Sequence, residues 1–138
     1  MKHFLVPAIL FTLLAAPVAA VEPGQLGLEL NALRQSETGC RITFLAENQL
    51  GSEIGRSSFE LAQFGAEGGI DRLVALDFGV LPDGKSRVVQ FELKQLACDN
   101  IGRVLVNDIT ACEGGELTPA ICLAALVPST RTAASFGI

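Results

Sequence analysis

The sequence contains no tryptophan and no tyrosine, and its one histidine, His3, stands among the first residues. Beyond that histidine, the usual base for a Ser or Cys nucleophile is missing, and no G-x-S-x-G or S-x-x-K run is present. The missing Trp and Tyr remove the aromatic girdles of a transmembrane barrel and the flat platforms on which sugars stack. Cations are scarce: 10 Lys and Arg face 15 Asp and Glu, for a net charge of −5. They are scattered singly along the chain, which argues against a nucleic-acid partner and against an anionic membrane surface. No C-x2-C knuckle and no D-x-[DN]-x-[DN]-G loop occurs, so neither a zinc finger nor an EF-hand is expected. After residue 20 the longest apolar run, residues 120–127, is too short to span a bilayer.

What is present begins with Lys2 and His3, an apolar run over residues 4–16, and then Pro17-Val18-Ala19-Ala20. As a helix, that run would reach roughly 20 Å across a hydrocarbon core of about 30 Å, too short for a lasting anchor. Val18 and Ala20 are small enough for the binding pockets of a signal peptidase. The pattern predicts a Sec-type signal peptide over residues 1–20, cut between Ala20 and Val21, and a single domain over residues 21–138. That domain is expected in the periplasm or outside the cell. Cleavage discards Lys2 and the only histidine and sharpens the acidity. No paired arginines precede the apolar run and no cysteine follows the cut, so twin-arginine export and lipid attachment are not expected.

All four cysteines, Cys40, Cys98, Cys112 and Cys122, lie beyond residue 21, and an even count in an exported chain predicts two disulfides. An extended run over residues 103–109 would separate its flanks by roughly 23 Å, whereas a disulfide needs Cα atoms within about 7 Å. Cys98 with Cys112 is therefore disfavoured, leaving Cys40 with Cys98 and Cys112 with Cys122. The chain-entropy model gives about 4 kcal/mol for the long loop and about 3 kcal/mol for the short one.

Hydrophobic alternation marks the strands. Leu26, Leu28, Leu30 and Ala32 share one side of a half-buried strand, and Cys40, Ile42, Phe44 and Ala46 one side of its hairpin partner. A polar turn over residues 48–55 leads to a less decisive strand in which Phe59, Leu61 and Gln63 alternate with Glu60, Ala62 and Phe64. Residues 70–78 carry apolar side chains on both faces, which predicts a strand inside a sheet. Leu81-Pro82-Asp83-Gly84 is a turn, followed by Val89, Phe91 and Leu93 on one side of another strand. Thr118 and Pro119 open a short helix that Pro128 is expected to stop, and residues 132–138 supply a last strand. Six or seven short strands at turn-marked intervals, without long helices, predict an all-β, antiparallel, immunoglobulin-like sandwich with a short C-terminal helix. Phe44, Phe59, Phe64, Phe78 and Phe91 are assigned to its core; the pattern places Phe136 nowhere.

The residues left for chemistry are carboxylates: Asp71 with Asp77, Asp99 with Asp108, and Glu113 with Glu116. Such pairs serve acid–base glycoside hydrolysis when they converge, and Asp99, Asn100 and Asp108, or Glu113 and Glu116 around Gly114-Gly115, offer oxygen ligands to calcium. With fifteen acidic residues on a small surface, solvated polarity is the simpler reading. Gly65-Ala66-Glu67-Gly68-Gly69 reads as a turn and not a phosphate cradle, because Asp71 would repel the anion. No catalytic residue, metal site or cofactor is assigned.

Gly39-Cys40-Arg41 through Asn48, Leu81-Pro82-Asp83-Gly84, and Leu96-Ala97-Cys98-Asp99-Asn100-Ile101-Gly102-Arg103-Val104-Leu105-Val106-Asn107 resemble a group of bacterial exported proteins without assigned function. These often carry the label Tat pathway signal sequence domain protein. The similarity extends over nearly all residues past 20, including Cys112, Cys122 and Ser129-Thr130-Arg131, and it transfers no catalytic residue. The leader departs from the label because it lacks paired arginines. More loosely, Asn48 and the Leu81-Pro82-Asp83-Gly84 turn are similar to extracytoplasmic immunoglobulin-like domains of the FxLYD type, which implies architecture alone. The expectation is a non-catalytic, protein-binding or envelope-associated module. A divalent-ion-dependent enzyme built on carboxylates and a secreted effector or inhibitor are the alternatives.

Overall fold

In a computed structural model, which describes residues 21–138, the chain forms two four-stranded sheets. The signal peptide expected over residues 1–20, with Ala20 of its cleavage site, lies outside the described residues, and Val21 is the first of them. The strands are β1 (Leu26–Gln35), β2 (Gly39–Asn48), β3 (Ile54–Gly65), β4 (Ile70–Leu81), β5 (Ser86–Lys94), β6 (Ile101–Glu113), β7 (Leu126–Thr130) and β8 (Ser135–Gly137). A 3-10 turn, Cys98–Asn100, precedes β6, and one helix, α1 (Pro119–Ala125), precedes β7.

One sheet runs β5-β2-β1-β7 and the other β4-β3-β6-β8, so the chain crosses between sheets after β2, β4, β5, β6 and β7. The neighbours β5-β2-β1 and β4-β3-β6 are those of an immunoglobulin-like sandwich. Two pairings are parallel, β1 with β7 and β6 with β8, which corrects the wholly antiparallel expectation. The cause is the short helix. It steps from the end of β6 to the sheet edge beside the start of β1, so β7 sets off in the same direction as β1. Among the described residues no helix is long and apolar enough to cross a membrane.

The core follows the alternation of β2, where Cys40, Ile42, Phe44 and Ala46 are each at most 1% exposed. Phe44 and Phe91 of one sheet meet Phe78 of the other at centroid distances of 5.3 and 5.1 Å, and Phe59 packs on Phe78 at 4.7 Å. Phe44, Phe59 and Phe78, the buried rings among them, each contribute about 1.5–3 kcal/mol by burial. Phe136 closes the cluster from β8, 5.7 Å from Phe44. Phe64 does not join it. Its parity within β3 turns it to the outer face, where the Arg103 guanidinium lies 5.3 Å from its ring centroid.

Several boundaries differ from the pattern, each for a local reason. A bulge between Leu30 and Ala32 inverts the parity of β1, so Leu33 takes the place beside the core expected for Ala32. β3 begins at Ile54, which is fully buried, inside the stretch read as a turn. β4 is an edge strand and not an interior one: its inner Leu76 and Phe78 are buried, while Leu73 on the outer face is 56% exposed. Thr118 caps α1 by accepting the Ile121 amide at 3.2 Å. The helix ends before Pro128, which sits within β7, an edge strand where its missing N–H costs little.

The strand directions give the sandwich two distinct ends. One gathers the N-terminal residues 21–25 and the loops 49–53, 82–85 and 114–118. The other gathers the turns 36–38, 66–69, 95–100 and 131–134.

Candidate functional site

The first end is laced shut by its own hydrogen bonds. Asn48, fully buried, donates from its amide to the Ser52 and Leu81 carbonyls, both at 2.9 Å, and its Oδ1 accepts the Leu50 amide at 3.0 Å. One side chain thereby joins two loops with every group used. The Gly51 amide donates to Asp83 Oδ1 at 3.0 Å, and Gly84 to the Asn48 carbonyl at 2.7 Å. The Glu53 carbonyl lies so close to Gly114 that no side chain fits there. Cys112 joins Cys122, Cα atoms 6.5 Å apart, tying β6 to α1.

The second end is grooved. Between the far end of β1 and the start of β6 runs an open groove of about 630 Å³. Its walls include Leu33, Ile101, Ala134 and Cys98, with Arg34 and Arg131 as its cations and Asp99 as its carboxylate. A second groove of about 670 Å³ lies beyond the 3-10 turn, lined by Glu67, Ile70, Asp71, Arg72 and Leu96 among others, and Ala66 borders both. Three features hold the walls. Cys40 joins Cys98 with Cα atoms 5.0 Å apart, anchoring the 3-10 turn to β2, and the Cys98 amide donates to Gln35 Oε1 at 2.8 Å. Gly102 is the second: a Cβ there would stand 2.7 Å from the Gly65 carbonyl, so only glycine lets β6 start against the end of β3. Arg72 is the third, donating to the Lys94 carbonyl at 2.9 Å and so binding one sheet to the other.

Glu92 of β5 clasps the 36–38 turn. Its carboxylate accepts from the Ser36 hydroxyl in a short hydrogen bond and from the Thr38 hydroxyl at 2.9 Å, and faces Arg41 Nε at 3.5 Å. The two hydroxyls, Ser36 first, and then the Arg41 charge hold Glu92 below the usual glutamate range.

Of the carboxylates singled out in the sequence, the two aspartate pairs do not converge. Asp71 and Asp77 stand roughly 20 Å apart along β4; the first pairs with Arg72 at 3.7 Å and the second accepts the Gly79 amide at 2.8 Å. Asp99 lies on the groove wall, whereas Asp108 is far along β6 and accepts the Ile109 amide at 2.8 Å. Glu113 faces Arg56 at 3.4 Å, and Glu116 is exposed in the next turn. Among the described residues no three acidic, Cys or His side chains group as a metal site. Gly65-Ala66-Glu67-Gly68-Gly69 is a closed turn, with the Gly65 amide on the Gly69 carbonyl at 2.8 Å, and it leads into a strand.

Sequence reasoning missed the pair that marks the groove, Arg34 and Arg131. They are far apart in the chain and carry no motif; only the return of β7 beside β1 brings them together. It also missed Gln63, an inward side chain 1% exposed whose amide has no hydrogen-bond partner among the described residues. The strand alternation contained that signal, since Gln63 follows Phe59 and Leu61 on the apolar face. Comparison with protein-family models, curated proteins and solved structures finds no match for the chain.

Proposed function

We propose that this chain is a non-catalytic, protein-binding module, exported to the periplasm or beyond, whose grooved end docks the partner. Two disulfides fit an oxidising compartment, in keeping with the leader pattern of residues 1–20 and with the resemblance to exported proteins. The observation that carries the reading is the contrast between the ends. One is consumed by internal hydrogen bonds, while the other presents an open groove with an apolar floor and charged rim. The two aspartate pairs stand apart along their strands, and among the described residues no three acidic, Cys or His side chains group as a metal site, so no observation favours the divalent-ion enzyme over the module.

The test is site-specific photocrosslinking in the native host. A photoreactive residue at Ala133, on the groove, is expected to capture a discrete partner from envelope or medium, and one at Glu116, on the laced end, is not. Recovery in the medium would make the module a secreted effector or inhibitor. Capture only from position 116, or none from position 133 in repeated trials, would overturn the assignment.

A further inference from the structure

The groove has an edge as well as a cavity. β7 pairs with β1 only over Leu26–Leu30, yet β1 continues to Gln35, so residues 32–35 have no strand on that side among the described residues. The groove runs along this free edge, with Ala32, Leu33 and Arg34 on one wall and residues 131–134 on the other. An unpaired strand edge inside a groove is a template for an added strand, with backbone bonds supplying affinity and flanking side chains supplying selection.

The charges favour one kind of strand. Arg34 lies directly opposite Arg41 in the β1–β2 ladder, an arrangement of like charges that is unfavourable. Arg41 is drawn off to Glu92, while Arg34 has no ion-pair partner among the described residues. Arg131 faces Glu29 at 3.5 Å with a side chain 72% exposed, so it is free to turn. Guanidinium groups hold carboxylates in paired hydrogen bonds. Longer-range charge agrees. Arg34, Arg41, Arg72, Lys94, Arg103 and Arg131 stand at the grooved end against Glu37, Glu67, Asp71, Glu92, Asp99 and the Glu29 that faces Arg131, a balance of charge. The laced end has Arg56, Lys85 and Arg87 against Glu22, Glu47, Glu53, Asp83, Glu113 and Glu116. An acidic segment is thus repelled by one end of the molecule and admitted by the other, which sets its orientation.

We infer that the groove takes an extended, acidic segment of a partner protein, added as a strand along residues 32–35 of β1, with its carboxylates on Arg34 and Arg131. The inference rests on the binding-module reading and specifies its partner. Residues alternating between acidic and apolar suit the site, the acidic ones meeting the rim and the apolar ones meeting Leu33, Ile101 and Ala134.

The test uses the disulfide-bonded chain and dye-labelled peptides read by fluorescence anisotropy. The probes are a Glu–Val alternating hexapeptide, its Lys–Val counterpart, and the Glu–Val peptide N-methylated on alternate amides in each of its two registers. The Glu–Val peptide is expected to bind at least about tenfold more tightly than the Lys–Val peptide, and methylation in the pairing register to cost about tenfold. Arg34→Glu with Arg131→Glu, two exposed positions that leave the core intact, is expected to reverse the charge preference. Equal binding of both unmethylated peptides, indifference to methylation in both registers, an unchanged preference in the double variant, or no binding of the Glu–Val peptide would each overturn the inference. A partner crosslinked at position 133 alongside any of these results would leave the module reading standing and remove only the acidic strand.

Discussion

The two ends of the sandwich each bury a side-chain amide, and the two amides are treated in opposite ways. Asn48, at the laced end, uses its nitrogen twice and its oxygen once, and in doing so ties the 49–53 loop to the end of β4. Gln63, near the grooved end of β3, is as deeply buried and uses neither atom within the described residues. A satisfied buried amide specifies local structure, whereas an unsatisfied one is a standing cost of about 1–3 kcal/mol. The laced end is thus the end whose loops are fixed by a satisfied buried amide, whereas the strand that runs to the grooved end carries a buried amide without a partner among the described residues.

The largest effect expected is from the bridges. Replacing Cys40 and Cys98 by Ala should lower unfolding free energy by about 4 kcal/mol, and replacing Cys112 and Cys122 by about 3 kcal/mol, in urea titrations. If the shorter bridge proved the more important, loop entropy would not be what distinguishes the two ends. Next come the amides. Asn48→Ala should cost about 3 kcal/mol because it strands two carbonyls and an amide, while Gln63→Met should raise stability by about 1 kcal/mol. Loss of stability in both would show that Gln63 is satisfied after all and would dissolve the contrast.

The smallest effect concerns pH. Glu92 has a lowered pKa in the fold, held down chiefly by the Ser36 and Thr38 hydroxyls, so its contribution is present above the ordinary glutamate pKa and lost as pH falls through the folded value. The Tm advantage of the wild-type chain over Glu92→Gln should therefore be full at pH 6 and shrink steadily below about pH 4. An advantage that grew on acidification would contradict the clasp.

How far the sequence reaches depends on whether an element's signal is local. The inner face of β2 was readable because Cys40, Ile42, Phe44 and Ala46 alternate without a break, and the start of α1 because Thr118 and Pro119 carry capping chemistry. The bulge after Leu30 leaves no residue that announces it, so Ala32 was placed on the wrong face. β4 read as interior because apolar side chains on both faces look alike whether or not a neighbouring strand covers the outer one. β7 was overlooked because its pairing partner lies at the other end of the chain. The groove fails to show for the same reason: Arg34, Asp99 and Arg131 become neighbours only when the last strands return to the sheet edges. Strand length, by contrast, was enough to separate Cys98 from Cys112, since β6 does run extended between them.

The claim that the grooved end binds and the laced end is closed by its own hydrogen bonds is tested most directly by backbone amide chemical shifts during titration of the isotope-labelled chain with the Glu–Val peptide. The account predicts shifts confined to residues 31–35, 66, 98–102 and 131–134, with the loops 49–53, 82–85 and 114–118 unmoved. Shifts centred on those three loops would contradict it.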